Sequence, residues 1–121
     1  MALTTSPLRD TTTTTLHVAL RALAARQRVH AQNIANLETP NYTAKRLDFE
    51  SALRRAVAAG RPELSSTSVR PTADAAAPNG NNVLLDDETI QLTETNLRYQ
   101  LLSQAMSARF NGLRNAIGKG A

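Results

Sequence analysis

The sequence has no cysteine and very few aromatic residues. The absence of cysteine in its 121 residues excludes disulfides, thiol catalysis and cysteine-based metal sites. The chain has two tyrosines, two phenylalanines and no tryptophan. It therefore has few of the aromatic side chains that bury the largest area in a core. Alanine is abundant instead, and each buried alanine contributes little. We therefore expect a chain that is marginally stable alone and gains stability from partners.

Long apolar runs are also missing. No run approaches the ~20 residues of a membrane span, so we expect no direct membrane span. The first 30 residues lack the apolar core of a cleavable signal peptide, because Arg9, Asp10 and a run of threonines interrupt it. The chain is expected to be cytoplasmic or exported by a route that does not use such a signal.

Charge is unevenly distributed along the chain. The 14 Lys+Arg and 10 Asp+Glu give a net charge of +4. Residues 1–61 carry nine cations and four acids (+5), whereas residues 62–121 carry five cations and six acids (−1). This asymmetry is typical of a nucleic-acid surface, or of two halves that face each other or neighbouring copies. The arginines are scattered and stacking aromatics are few, which disfavours nucleic-acid binding.

Hydrophobic periodicity predicts a mainly α fold. Residues 1–15 are polar and threonine-rich, and predict a flexible arm. Residues 16–37 predict a helix, because apolar and polar seam positions recur in 4-3 spacing at Leu16, Leu20, Leu23, Gln27, His30, Ile34 and Leu37. Residues 38–85 predict a turn, a short helix over 49–59 and a mobile linker over 61–82, where three prolines and an Asn-Gly pair occur.

Residues 86–117 predict the longest helix, with Asp86, Asp87 and Glu88 placed where the helix dipole favours negative charge. Two apolar lines run along it, which indicates that the helix is covered on more than one side. One line comprises Tyr99, Leu102, Met106, Phe110, Leu113 and Ile117; the other comprises Ile90, Leu97, Leu101, Ala105, Ala108 and Gly112.

The sequence shows no cluster of catalytic or metal-binding residues. His17 and His30 are 13 residues apart and point about 220° apart on one helix, so they cannot share a metal. The acidic run at residues 86–88 lacks the glycine and spacing of a calcium loop. We find no Gly-rich phosphate loop and no Ser/His/Asp set. We therefore expect no enzyme activity, no cofactor and no metal; a small helical binding module, such as an export chaperone or a nucleic-acid-binding protein, remains an alternative function.

Two segments carry a family resemblance. The first follows the predicted helix end, where Asn36 tolerates a left-handed conformation and Pro40 cannot continue a helix: it reads Asn33-Ile34-Ala35-Asn36, then Thr39-Pro40-x-Tyr42, then Phe49. The second reads Gly80-Asn81-Asn82-Val83, Asp86, Glu88, Asn96-Leu97-Arg98-Tyr99, Phe110, Leu113-Arg114, Ala116-Ile117 and Gly118-Lys119. Together they resemble the flagellar axial proteins of the rod and hook, and among these the proximal-rod members. That family usually has glycine where Asn41 stands, so a positive φ is either retained there or replaced by another turn.

The resemblance implies a single axial-protein domain over residues 16–121, with the N- and C-terminal helices paired as a coiled-coil-like hairpin. It implies a structural subunit that stacks helically with other copies and other rod proteins into the periplasmic drive shaft and export channel. The implied partners at the rod base are the adaptor FliE, the inner-membrane ring and the export gate, and the implied export route is the flagellar type III apparatus, without a cleaved signal.

The resemblance and the periodicity together suggest two sets of functional residues. The predicted packing and assembly residues are Leu20, Leu23, Ile34, Leu97, Leu101, Leu102, Met106, Phe110 and Leu113. The predicted turn residues are Asn33, Asn36, Thr39, Pro40 and Tyr42.

Overall fold

A computed structural model describes residues 10–119 of the chain. Two long helices dominate it, α1 (Thr11–Ala35) and α3 (Leu85–Lys119). Between them lie strand β1 (Lys45–Asp48), helix α2 (Glu50–Ala58), a 3₁₀ turn (Pro62–Leu64) and strand β2 (Ser68–Pro71). The predicted mainly α class is confirmed. None of the described helices is both long enough and apolar enough to cross a bilayer.

Helix α1 begins at Thr11, five residues before the predicted start. Asp10 caps it, because the Asp10 Oδ1 accepts a 2.6 Å hydrogen bond from the Thr13 backbone N–H, and this bond lowers the pKa of Asp10. Thr13 is buried, so packing outweighs the low helix propensity of the threonine run. The predicted arm is therefore wrong for residues 11–15, and its first nine residues lie outside the described part of the chain.

The end of α1 also differs from the expectation. The helix stops at Ala35, but Asn36 has a φ of −103° and is not left-handed. The positive φ lies at Asn41 instead, with a value of 60°. The chain therefore retains the left-handed backbone at the position where the family usually has glycine.

Helices α1 and α3 pack antiparallel along their shared length. Near one end the Arg109 Nε donates a 3.0 Å hydrogen bond to the Thr13 Oγ1. Midway the Gln27 Nε2 lies 2.5 Å from the Asn96 Oδ1. At the other end the buried side chains of His30 and Glu88 meet. The predicted pairing of the two helices in a hairpin is confirmed.

The apolar core is small and lies between the helices and the loop region. Its buried members are Ala19, Ala22, Leu23, Leu47 and Phe49, with Tyr99 and Leu102 of α3 packed against them. The predicted seam of α1 is buried only in part: Leu23 and His30 are buried, whereas Leu16, Leu20, Ile34 and Leu37 are half-buried. The core also includes Ala19 and Ala22 of α1, which share a buried cluster with Leu47 and Phe49.

The predicted linker over residues 61–82 contains regular structure. Strand β2 pairs antiparallel with β1, with Leu47 opposite Val69 and Asp48 opposite Ser68. An exposed 2.7 Å ion pair between Arg70 and Asp48 spans the two strands. All four residues of β2 are exposed, so no apolar alternation marks this strand in the sequence.

Candidate functional site

The turn below α1 is built around the side chain of Asn33. Asn33 is 0% exposed. Its Nδ2 donates to the Lys45 carbonyl at 2.8 Å and to the Glu88 Oε1 at 3.0 Å. Its Oδ1 accepts from the Lys45 N–H at 3.0 Å and from the Tyr42 hydroxyl at 3.2 Å. The amide thus uses both donors and both acceptor sites, and joins α1 to β1 and α3.

Glu88 is the charged centre of the same cluster and is also 0% exposed. Its Oε1 lies 2.5 Å from the Arg46 guanidinium, and its Oε2 lies 2.7 Å from the His30 Nδ1. Burial alone would raise the pKa of Glu88, but hydrogen bonds from Arg46, His30 and Asn33 outweigh it and the pKa is lowered. Because the carboxylate is ionised and only accepts, the His30 Nδ1 must carry a proton and donate.

Tyr42 completes this group, which we call the polar latch: His30, Asn33, Tyr42, Arg46 and Glu88. Partial burial and the nearby charge of Glu88 raise the pKa of the Tyr42 hydroxyl. The phenol therefore stays protonated and can donate to Asn33. The latch joins residues up to 58 positions apart and sets the register of α3 against α1.

A second hydrogen-bonded group closes the turn from the other side. The Asn81 Nδ2 donates to the carbonyls of Asn36 at 2.7 Å and Thr39 at 2.8 Å. Both carbonyls lie in the turn that follows the last residue of α1, where they also accept backbone N–H groups of the turn. The Asn81 Oδ1 accepts a hydrogen bond from the Val83 N–H at 2.8 Å, two residues before α3 begins.

Asn82 and Asn41 tie the loop to this turn. The Asn82 Oδ1 accepts from the Ala44 N–H at 2.7 Å, and its Nδ2 donates to the Thr72 Oγ1 at 2.9 Å. The Asn41 N–H donates to the Asn79 carbonyl at 2.9 Å. The segments before β1 and before α3 are therefore held together by backbone and amide groups.

The five predicted turn residues have different roles. Asn33 and Tyr42 belong to the latch. The carbonyls of Asn36 and Thr39 accept hydrogen bonds from the Asn81 side chain. The Thr39 hydroxyl donates to the Asn36 Oδ1 at 3.1 Å. Pro40 is exposed and acts through its fixed φ.

Arg26 forms a further link between α1 and the α2 region. Its guanidinium donates to the Leu47 carbonyl and lies 2.6 Å from the Glu50 carboxylate. It also sits 4.7 Å from the centre of the Phe49 ring, a cation–π contact. The hydrogen bond from Arg26 lowers the pKa of Glu50 to about 2.

The predicted packing residues lie on both long helices, and those of α3 fall on opposite faces of that helix. Tyr99 and Leu102 face the core, and Met106 and Leu113 are half-buried, as are Leu20 and Ile34 of α1. Leu23 is 1% exposed.

By contrast, Leu97 is 57% and Leu101 64% exposed. Ile90, also exposed, lies within about 40° of both on the helix surface at 100° per residue. We call Ile90, Leu97 and Leu101 the outer stripe.

Phe110 and Ile117 of the inner line are also exposed, at 44% and 67%. They follow Arg109, which pairs with Asp10 at the start of α1. The last turns of α3 therefore extend past the point where α1 begins.

Several of these residues were not predicted as functional. Glu88 was interpreted as helix-start charge and His30 as a seam residue, yet both are buried in the latch. Asn81 and Asn82 stood out only through the family resemblance. A polar residue at a seam position, as at His30, is the one local signal that could have indicated a buried partner.

The chemistry of this site is that of hydrogen-bonded packing. In the part of the chain that the structure describes, no three His, Cys, Asp or Glu residues are grouped so as to hold a metal ion. The ionisable groups of the latch are joined by hydrogen bonds, and the side chains of His30 and Glu88 are enclosed. The arrangement fixes helices and leaves an apolar stripe outside.

Comparison with known proteins gives a consistent set of relatives. The chain is 34% identical to the flagellar basal body rod protein FlgB of Escherichia coli K12, in an alignment that covers 84% of this chain and 89% of the relative. It is 32% identical to the FlgB of Bacillus subtilis, covering 87% and 92%, and 33% identical to that of Cereibacter sphaeroides, covering 82% and 88%. No family model matches the chain.

Proposed function

The chain belongs to the flagellar basal body rod protein FlgB family, and on that premise we propose that many copies of it stack helically to form the proximal rod. It is a structural protein of the flagellar rod, located in the basal body. In the proposal the rod formed by these copies and other rod proteins serves as the drive shaft, and its lumen serves as the export channel. No catalytic step is assigned to it.

One observation carries this proposal: α3 has apolar residues on two opposite faces, and the described chain covers only one. The outer stripe consists of large side chains that are 57–64% exposed. Burying a leucine-sized side chain contributes about 1.5–3 kcal/mol, so a neighbour that covers the stripe gains several such contributions. A contact between different faces of successive copies does not close, and it generates a helical filament.

The polar latch supports the same proposal. A subunit in a filament must present its outer stripe at a fixed height relative to its other surfaces. The latch ties α3 to α1 and β1, and its contacts from Glu88 to His30 and Asn33 are buried. A shift of α3 by one helical turn would break the bonds to Glu88. We propose that it fixes the register on which subunit packing depends.

The remaining expectations from the family also belong to the proposal. The partners at the base are the adaptor FliE, the inner-membrane ring and the export gate, with other rod proteins above. The route to the periplasm is the flagellar type III apparatus, without a cleaved signal peptide. The proposal includes no nucleic acid partner and no membrane span.

Deletion of the gene in its own bacterium tests the proposal. We expect loss of swimming and the absence of rods from isolated basal bodies, with both restored by the wild-type gene on a plasmid. Complementation by the Leu97→Gln/Leu101→Gln variant should fail, although its circular dichroism should match that of the wild-type chain. Intact rods without the gene, or full complementation by the variant, would contradict the proposal.

A further inference from the structure

A groove with an apolar floor and a basic rim lies between α1, α2 and residues 62–67. It consists of two adjoining cavities of about 390 and 310 Å³, and Ser65 and Ser66 line both. The floor is formed by small and apolar side chains: Val18, Ala22, Ala25 and Phe49 in one cavity, and Ala52, Ala56, Ala59 and Leu64 in the other. A floor of this kind accommodates apolar side chains from a partner.

Four arginines stand at the rim of this groove. Arg21 and Arg28 line the first cavity, and Arg55 and Arg61 line the second. All four are exposed, and none forms an ion pair within the described residues, whereas the neighbouring Arg26 is paired with Glu50. One acid, Glu63, also lines the first cavity. The groove therefore has an excess of positive charge that residues 10–119 do not neutralise.

The chain carries a surface of the opposite character at the start of α3. Asp86 and Asp87 are adjacent and exposed, and neither forms an ion pair among the described residues. Large apolar side chains flank them, since Leu84 is 46%, Leu85 45% and Ile90 64% exposed. We call residues 84–90 the acidic ridge.

We infer that the acidic ridge of one copy docks into the basic groove of the next copy. The apolar side chains of the ridge enter the floor, while Asp86 and Asp87 meet the arginines of the rim. Groove and ridge are different surfaces of the same chain, so the contact is heterologous and repeats along a filament. The inference rests on the proposed assembly and names the subunit contact within it.

Charge reversal on both sides tests this contact. The groove variant is Arg21→Glu/Arg28→Glu, and the ridge variant is Asp86→Arg/Asp87→Arg. Each is expressed in cells that lack the gene, and the amount of the chain in isolated basal bodies is measured. Each variant alone places like charges together, so we expect the amount to fall more than about tenfold. The chain that carries all four changes restores opposite charges and should restore assembly.

The combined variant separates contact from folding or export. A ridge or groove that had lost its fold, or a chain that failed export, would not be rescued by a second pair of changes. The matched control is Arg54→Glu/Arg114→Glu, which makes the same change in net charge at exposed arginines that line neither cavity. It should assemble like the wild type.

Cross-linking gives an independent readout, because the chain contains no cysteine. Two differently tagged copies are co-expressed, one with Ser66→Cys in the groove and the other with Leu84→Cys on the ridge. We expect oxidation of isolated basal bodies to join the two tags. Neither cysteine alone should yield such a product.

The failures are distinguishable. If the wild-type chain enters rods but the reversed variants assemble equally well, or the combined variant is not rescued, the contact is wrong and the proposed function stands. If only the groove variant fails, the groove receives a different protein and the assignment to a second copy is wrong. If the wild-type chain never enters rods, the proposed function itself fails.

Discussion

At the scale of single residues, the side chain of Asn33 connects α1, β1 and α3 through its hydrogen bonds. Its amide satisfies both backbone groups of Lys45 and one oxygen of the buried Glu88. A side chain that mimics a strand partner in this way lets β1 begin directly against α1. Any other residue type would leave some of these groups without partners.

The Asn33→Ala variant tests this role. A buried polar group without a partner costs about 1–3 kcal/mol, and several groups are affected, so we expect a loss of about 2–4 kcal/mol in the free energy of unfolding. The measurement is urea unfolding followed by helical circular dichroism, with trimethylamine N-oxide added to both samples to stabilise the folded state. Gln32→Ala, an exposed neighbour, should change stability by less than about 0.5 kcal/mol. Equal urea midpoints for the two variants would contradict the assigned role.

Acid sensitivity follows from the lowered carboxyl pKa values. The pKa of Glu50 falls from 4.5 to about 2 on folding, and that of Glu88 is also lowered. A lowered folded-state pKa means that the stabilisation is complete above about pH 5 and is lost as the pH falls towards 2. For Glu50, whose side chain is 42% exposed, solvent screening leaves about 1 kcal/mol.

A pH titration of the urea midpoint between pH 7 and 2 checks this prediction. The wild-type chain should lose stability progressively below about pH 5, and Glu50→Gln should show a shallower fall over the same range. Glu38→Gln changes an exposed acid without an ion pair in the described structure and should follow the wild-type curve. A flat wild-type profile, or identical profiles for Glu50→Gln and wild type, would be the contrary result.

At the scale of elements, two glycines predict opposite effects of the same substitution. Gly80 has a φ of +83°, and an added Cβ would clash with the Asn41 Oδ1. Gly112 lies within α3, and an added Cβ there meets nothing within 4 Å. The first glycine is required by the turn, whereas the second weakens a helix.

We therefore expect Gly80→Ala to destabilise the chain by about 1–3 kcal/mol and Gly112→Ala to stabilise it by about 0.5–1 kcal/mol. Both are measured as shifts in the urea midpoint. The Asn41→Gly background removes the amide that the new Cβ would meet, so the cost of Gly80→Ala should shrink there. Effects of the same sign at the two glycines would show that the loop geometry is wrong.

Some of the elements could be predicted from the sequence, and others could not. Local patterns predicted α3 and both of its apolar lines, because the apolar residues of each line recur at helical spacing. The motif at residues 33–42 predicted a turn. The start of α1 was missed, since a single cap at Asp10 and the burial of Thr13 overrode five residues of poor propensity.

Long-range partners were beyond the reach of the sequence alone. The latch joins His30 to Glu88 across 58 residues, and neither residue marks the other by spacing. Strand β2 has no buried residue, so its pairing with β1 leaves no period-2 pattern. The contact between His30 and Glu88 depends on the antiparallel arrangement of the helices, which the family resemblance implied and periodicity did not.

At the scale of the whole molecule, a small core holds a long hairpin. Five buried apolar residues, two of them alanines, form the centre, and α3 extends beyond the start of α1. Helix stability in proteins comes mostly from packing of an apolar face, and one face of α3 is unpacked. The dilute chain should therefore unfold with weak cooperativity and gain helix on assembly.

Circular dichroism of the free chain over a range of concentrations tests that expectation. The thermal transition should be broad in dilute solution and should sharpen as helical content rises with self-association. A sharp, fully helical and concentration-independent transition would show that the hairpin needs no neighbour for its stability.

The central claim is that the outer stripe of α3 is exposed in the free subunit and covered in the rod. The cysteine-free background permits a direct measurement, in which Leu101→Cys reacts with a maleimide in the purified chain and in isolated basal bodies. The account predicts fast labelling of the free chain and strong protection in the basal body, with Ala73→Cys in the exposed loop as a check on access of the reagent. Equal labelling of Leu101→Cys in both states would contradict it.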